Sequence, residues 1–212
     1  MAEQVETATR PKRRQARGER RIEQLLAAAG EVFAESGYSA TTTNAIAARA
    51  GVSPGTLYQY FPNKDAIADA LGEVFAAKLN ELHLMLAVDP DDAELPPLAE
   101  VLDAAVLTTV RFNRENPACP VLFMGPDAPQ RLVDVHAPLH AELLARMGAL
   151  LGRYAPEVPE DRIRDVAEVT VAAFKGILPL LVAADEQRLP QLVEEMEQLL
   201  LGYFSRALGL TT

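Results

Sequence analysis

The chain has 212 residues, 49% apolar and 24% charged, with a net charge of −10, an ordinary balance for one large or two modest globular domains with a core of their own. Its single cysteine, Cys119, excludes an intramolecular disulfide and fits a reducing compartment. The longest uninterrupted apolar run, Gly176 to Ala184, falls short of the ~18 residues of a membrane span, and no apolar segment near the N-terminus reads as a secretory signal. The expected location is the cytoplasm, with no membrane partner.

The charge is uneven along the chain. Residues 1–64 hold nine Lys/Arg against six Asp/Glu, while residues 65–212 hold eleven against twenty-four. Seven of the cations fall between Arg10 and Arg21, beside one acid, Glu19. A basic N-terminal region ahead of an acidic remainder suggests an anionic partner for the first region alone. Screening, with a Debye length of about 8 Å at physiological ionic strength, keeps distant acids from opposing it.

Residues 1–17 are charged and aperiodic, and read as a mobile arm. From Arg20, the three-and-four recurrence of Ile22, Leu25, Leu26, Ala29, Val32 and Phe33 predicts an amphipathic helix that stops at Gly37, a suitable left-handed residue. Thr43 suits an N-cap for a short helix with Ile46, Ala47 and Ala50 inward, closed by Gly51. Ser53 then caps a second short helix, with Pro54 at its first position and Leu57 and Phe61 inward; Pro62 closes it. Two short helices joined by a tight Gly-Val-Ser turn behind a longer one is the layout of a helix-turn-helix, whose second helix enters the DNA major groove.

Asn63 caps a long fourth helix running to about Val88. Helical patterns follow over about Leu95–Asn113, Gln130–Tyr154, Glu160–Ala184 and Leu189–Leu208. "NPACPVLFMGPDAP" reads as a proline-broken connection. Pro138 is expected to split its helix and Pro179 to kink or shorten the next. No stretch alternates as a strand does, so the expected fold class is all-α, with a helix-turn-helix head at residues 18–62 and a helical bundle over 63–212.

The segment "TTTNAIAARAGVSPGTLYQYFPNKDAI" resembles the DNA-binding signature of the TetR family of bacterial transcriptional regulators. The likeness runs from Ile22 to about Ile67; beyond it, only helicity, length and order match. The resemblance implies a homodimer whose two heads read the halves of a near-palindromic operator in double-stranded DNA. It also implies a C-terminal domain that dimerises and holds a small apolar or amphipathic ligand. The family's DNA contacts carry over onto Thr43, Ser53, Pro54, Gly55, Thr56, Tyr58, Gln59, Tyr60 and Lys64. Position 54 departs from members that have lysine there. The residue chemistry agrees with these roles. Gln59 can offer a donor and an acceptor to an adenine edge, and Thr56 can meet a thymine methyl. Hydroxyls of Thr43, Tyr58 and Tyr60 suit phosphate oxygens, as does Lys64, and Gly55 lets the backbone come close.

For the remainder the sequence says less. Phe75, Phe112, Phe123, Met124 and Phe174 are candidates to line the ligand pocket, against a plain core role. Arg111 and Lys175 lie in apolar contexts, where they could answer an anionic ligand or snorkel to the surface. On the last helix, Leu192, Met196, Leu199, Leu200 and Tyr203 belong to an apolar stripe too wide for one intramolecular contact, which places them in the dimer interface. His136 and His140 are four apart and, with His83 or Cys119, are of metal-ligating type; Pro138 between them distorts the spacing, so neither a metal nor a cofactor is expected. No nucleophile elbow, phosphate loop or paired-carboxylate motif appears, so an enzyme is not expected. The competing expectations are a regulator without an effector, an activator and, more remotely, a metal-dependent enzyme on a helical scaffold.

Overall fold

Strong helix formers fill the segment ahead of the first apolar stripe, and they join it in one helix. In the computed structural model, which describes residues 9–85 and 95–210, α1 spans Thr9–Ala40. The arm expected over residues 1–17 is therefore helical from Thr9, and residues 1–8 lie outside the described part. Charge without an apolar stripe does not prevent a helix when Arg, Lys, Gln and Ala dominate, and Gln15 adds an i,i+4 bond to Glu19 at 3.1 Å. Gly37 interrupts α1 with φ 77° and ψ 171°. The positive φ agrees with the expectation, but the residue is extended rather than left-handed helical, and the chain makes one more turn to Ala40.

The two short helices are α2 (Thr43–Arg49) and α3 (Pro54–Tyr58). Thr42, not Thr43, caps α2, accepting from the Ala45 amide at 3.1 Å; Thr43 is the first helical residue. Gly51 takes φ 65° in the turn, a conformation a β-carbon disfavours. Ser53 caps α3 through the Thr56 amide, with Pro54 at the helix start. Asn63 caps α4 (Lys64–Met85) through the Ala66 amide at 2.8 Å; the expected end near Val88 lies outside the described residues.

The remaining helices are α5 (Leu98–Glu115), α6 (Ala118–Met124), α7 (Gln130–Tyr154), α8 (Glu160–Ala183) and α9 (Leu189–Leu208). No strand occurs among the described residues, so the protein is all-α as expected. Three corrections apply. The segment read as a proline-broken connection contains α6, which buries Ala118, Cys119, Leu122 and Phe123. Pro138 lies inside α7 without splitting it, and α8 runs through Pro179 to Ala183. Both prolines face solvent, where water can satisfy the carbonyl that each leaves unpaired.

The structure divides into two compact units, and the division falls within α4, between Phe75 and Ala76. The first holds the chain up to Phe75 together with Pro117–Val133; the second holds Ala76–Asn116 and the chain from Asp134 onward. In the first unit α1 packs against α2 and α6, and α2 against α3. Its interior includes Leu25, Phe33, Ile46, Leu57, Ile67 and Leu122, each without exposed surface. In the second unit α5, α8 and α9 pack on one another around Val106, Leu151, Val166, Leu181 and Phe204.

The sequence contains no uninterrupted apolar run of membrane length, yet α8 is long and apolar enough by composition to cross a membrane. An 18-residue window reaches a mean hydropathy of 1.8, but only a third of it is buried. Val169 and Leu180 of α8 are about half exposed.

Candidate nucleic-acid interface

Leu57 is fully buried and Phe61 nearly so, which turns the other side of α3 outward. Ser53, Pro54, Gly55, Tyr58, Gln59 and Tyr60 are exposed, and Thr56 is half-buried. Gln59 sits at the C-cap with helical dihedrals (φ −71°, ψ −22°), so it continues the helix surface.

Hydroxyls are paired across this surface. Thr43, relieved of capping by Thr42, has its hydroxyl 2.9 Å from that of Tyr58, joining the start of α2 to the end of α3. Ser53 Oγ lies 2.9 Å from Thr56 Oγ1. Each pair keeps hydrogen-bonding capacity beyond its own contact, as a phosphate or base edge requires. The structure thus brings Thr43, Ser53, Thr56 and Tyr58 into two pre-set groups, flanked by Gln59 and Tyr60.

Lys64 stands apart from them. Its ammonium donates to the carbonyl oxygens of Tyr38 (2.8 Å) and Ser39 (3.2 Å) and lies 4.4 Å above the Tyr38 ring. Two of its three donors brace the end of α1, which leaves one for an external anion.

A latch that the sequence did not reveal surrounds Tyr38. Its hydroxyl hydrogen-bonds Asp65, and its ring stacks on Phe33. Arg131, at the start of α7, pairs with Asp65 and Asp69. Asp127 accepts from the Ser39 amide at 2.6 Å. Apart from the Phe33–Tyr38 stack, the partners lie 27 residues apart for Tyr38 and Asp65 and 62 to 93 for the others, and no local pattern announces them. Arg49 adds a fork to Glu35 and a bond to Glu31, tying α2 to α1.

The Tyr38 hydroxyl, and after it Arg131, hold the Asp65 carboxyl below the usual aspartate value of 3.8. The Ser39 amide does the same for Asp127. A carboxyl with a depressed folded value stabilises the fold above its unfolded value, and that contribution is lost as pH falls through the folded one. The unit is therefore expected to weaken below about pH 4, and Asp65→Asn to flatten that acid limb. Urea unfolding across the acid range checks this, and an unchanged limb would remove Asp65 from the latch.

Comparison with known proteins decides the family. Residues 25–71 match the model of bacterial regulatory proteins of the tetR family, and residues 97–204 match the tetracyclin repressor-like C-terminal domain. The chain belongs to the TetR family. The resemblance read from the helix-turn-helix is thereby borne out, and it extends over a region whose sequence offered no recognisable motif. This TetR-family chain is 43% identical over 58 residues to the fatty acid metabolism regulator protein of Bacillus subtilis (strain 168), covering 27% of the chain and 28% of that protein. It is 49% identical over 49 residues to the HTH-type transcriptional regulator HbdR of Aromatoleum sp. (strain CIB), covering 23% and 21%. These matches span well under two thirds of either relative. A solved TetR-like transcriptional regulator from Rhodococcus sp. RHA1 has a TM-score of 0.69 at 21% identity, over 87% of this chain and 96% of that one, a likeness of fold. The TetR-family chain carries both the DNA-binding model and the C-terminal model of a family of bacterial regulatory proteins, a family not generally enzymatic.

Of the residues expected to line a pocket, Phe75, Phe123 and Met124 belong to the first unit and Phe112 and Phe174 to the second. Phe75 and Phe123 meet edge to face, 6.4 Å between ring centres, inside the first unit, and Met124 is exposed. In the second unit Phe112 is buried and Phe174 packs at the edge of the core. None of the five lines the groove of 580 Å³ in the second unit, where Leu107, Leu189 and Val193 meet Asp103, Glu194 and Glu197. There, burial and the adjoining Asp103 raise the Glu197 carboxyl above its ordinary value.

The expected dimer residues also divide. Met196 and Leu200 are buried in the protomer's own core, which corrects their assignment to an interface. Leu192 and Tyr203 are half-buried against that core, and Leu199 is exposed. The stripe on α9 is partly buried in the protomer and partly open. Among the described residues no three His, Cys, Asp or Glu side chains are placed to hold a metal ion.

Proposed function

We propose that this regulator is a homodimeric cytoplasmic repressor that binds a near-palindromic operator and is released by a small amphipathic ligand. The paired hydroxyls of Thr43–Tyr58 and Ser53–Thr56, on the open side of a helix whose other side is buried, carry the DNA reading. Thr56 and Gln59 read base edges; Thr43, Tyr58, Tyr60 and the third donor of Lys64 take phosphates; Ser53, Pro54 and Gly55 bring the α3 N-terminus close to the backbone.

The half-exposed apolar side chains of α8 and α9 support the dimer. A surface of this kind left open invites aggregation, and a second copy covers it symmetrically. Two heads must sit about 34–36 Å apart to meet successive major grooves. A ligand that favours another spacing therefore releases DNA, whereas one that binds both states equally does nothing. α4 begins at the reading head in the first unit and ends in the second, so a ligand held in the second unit acts on a helix that the head shares.

The test is selection of bound sequences from a random DNA pool, with an enriched near-palindrome expected. A pool without enrichment, at low salt and with folded dimer verified, refutes the reading. On the selected site, Gln59→Ala is expected to cost about 1–3 kcal/mol and to relax preference at one base pair. Equal weakening on every sequence would assign Gln59 to phosphate instead.

A further inference from the structure

Among the described residues, the second unit contains a cation, Lys175, that forms no ion pair with a carboxylate. Lys175 of α8 is half-buried, and its ammonium lies 3.1 Å from Nδ1 of His140 on α7. The ion pairs among the described residues use Arg49, Arg131 and Arg146, not Lys175. Burial alone lowers its basicity, with no acid opposing that effect. The His136 and His140 rings are stacked in parallel 6.2 Å apart, and His83 of α4 is buried within range of both.

All three imidazoles favour the neutral form, burial being the main cause, and His136 is lowered to about 4. Of the acids that act on the cluster, Glu142 is bonded to Arg146 and Glu168 is exposed. A half-buried ammonium with no paired counter-charge among the described residues is costly, and a site needing only volume would be served better by Leu or Met. The ammonium donates to Nδ1 of neutral His140, which places the imidazole proton on Nε2 as a further donor. Val171 and Leu178, both buried, stand one turn either side of Lys175 on α8, and Leu143 and Leu144 stand one turn beyond His140 on α7.

We propose that Lys175, with His140 beside it, anchors the carboxylate of an amphipathic organic acid between α7 and α8, the acid's tail lying along the neighbouring apolar side chains. This names the ligand class for the effector reading above and rests on it. A metal is a poorer occupant, because the ammonium repels it and no three-ligand group is in place among the described residues.

The test uses the full chain and three probes with one tail: octanoate, octan-1-ol and octyltrimethylammonium, titrated by calorimetry. Octanoate is expected to bind roughly 10- to 100-fold tighter than the alcohol, as a charge-assisted hydrogen bond in a partly buried site provides. Lys175→Met is expected to remove that preference and leave the alcohol unchanged, while Lys175→Arg keeps part of it. In histidine-labelled protein, octanoate and not the alcohol is expected to shift the His140 ring resonances. Equal binding of acid and alcohol, an undiminished preference in Lys175→Met, or unmoved His140 resonances would each overturn the proposal. So would inorganic phosphate displacing octanoate at equal concentration, which would mark a general oxyanion site. Octanoate that binds through Lys175 but leaves operator binding unchanged supports the anchor and overturns release by this ligand, so the two readings fail separately.

Discussion

Replacing Leu180 and Leu199 together by glutamate is expected to yield a folded monomer that has lost its operator. Both side chains are about half exposed, so the protomer's own core loses little. Leu180 continues a line along α8 through Val169, Ala172 and Gly176, all facing solvent. On α9, Leu199 and Gly202 are one turn apart. A β-carbon at Gly176 or Gly202 would meet nothing within 4 Å, so no intramolecular contact requires either glycine, whereas a closely approaching partner helix would. Like charges placed on both copies of a symmetric interface repel across it. Loss of the second head should then weaken operator binding by about 10²- to 10⁴-fold, the usual gain from linking two binding events. Sedimentation and operator titration check both parts. A double variant that stays dimeric would move the interface off this face.

Leu57→Ala is expected to cost about 2–5 kcal/mol of stability and to abolish operator binding near the unfolding temperature. Leu57 has no exposed surface and lies behind α3, a helix of five residues. A helix so short has no stability of its own and is held by its packing. Exposed ion pairs around Arg131 and Arg49 contribute little by comparison. They orient the elements, while burial holds them. The same substitution at Leu199 should be nearly neutral in the monomer, so thermal unfolding of the two variants separates packing from interface. A Leu57→Ala protein with unchanged stability and DNA binding would contradict the buried role.

Charge and periodicity made the helix-turn-helix legible from sequence because its determinants are local. Gly51, Ser53 with Pro54, and Asn63 each act within three or four residues, and each appears in the role expected of it. Leu57 and Phe61, one helical turn apart, turn the opposite face outward without help from distant residues. The near miss at Thr43 is instructive. Three consecutive threonines offer the same cap, and only the packed structure chooses Thr42 and leaves Thr43 for Tyr58.

Long-range packing decided the rest. Cys119 and its neighbours read as loop because prolines punctuate them; they become α6 because burial against α1 outweighs weak local propensity. From the sequence Pro138 looks like a helix break and Pro179 like a kink or an early end, but both lie inside helices with solvent free to satisfy the carbonyl each leaves unpaired. Met196 and Leu199 are equally apolar, yet one is buried in the protomer and the other is open, since a stripe does not say which neighbour covers it. Lys175 shows the same limit. Sequence placed it in an apolar context, and only tertiary structure set it beside His140, with no carboxylate paired to it among the described residues. Local hydrogen bonds and side-chain period are written into adjacent residues, whereas burial and charge pairing depend on residues that only folding brings together.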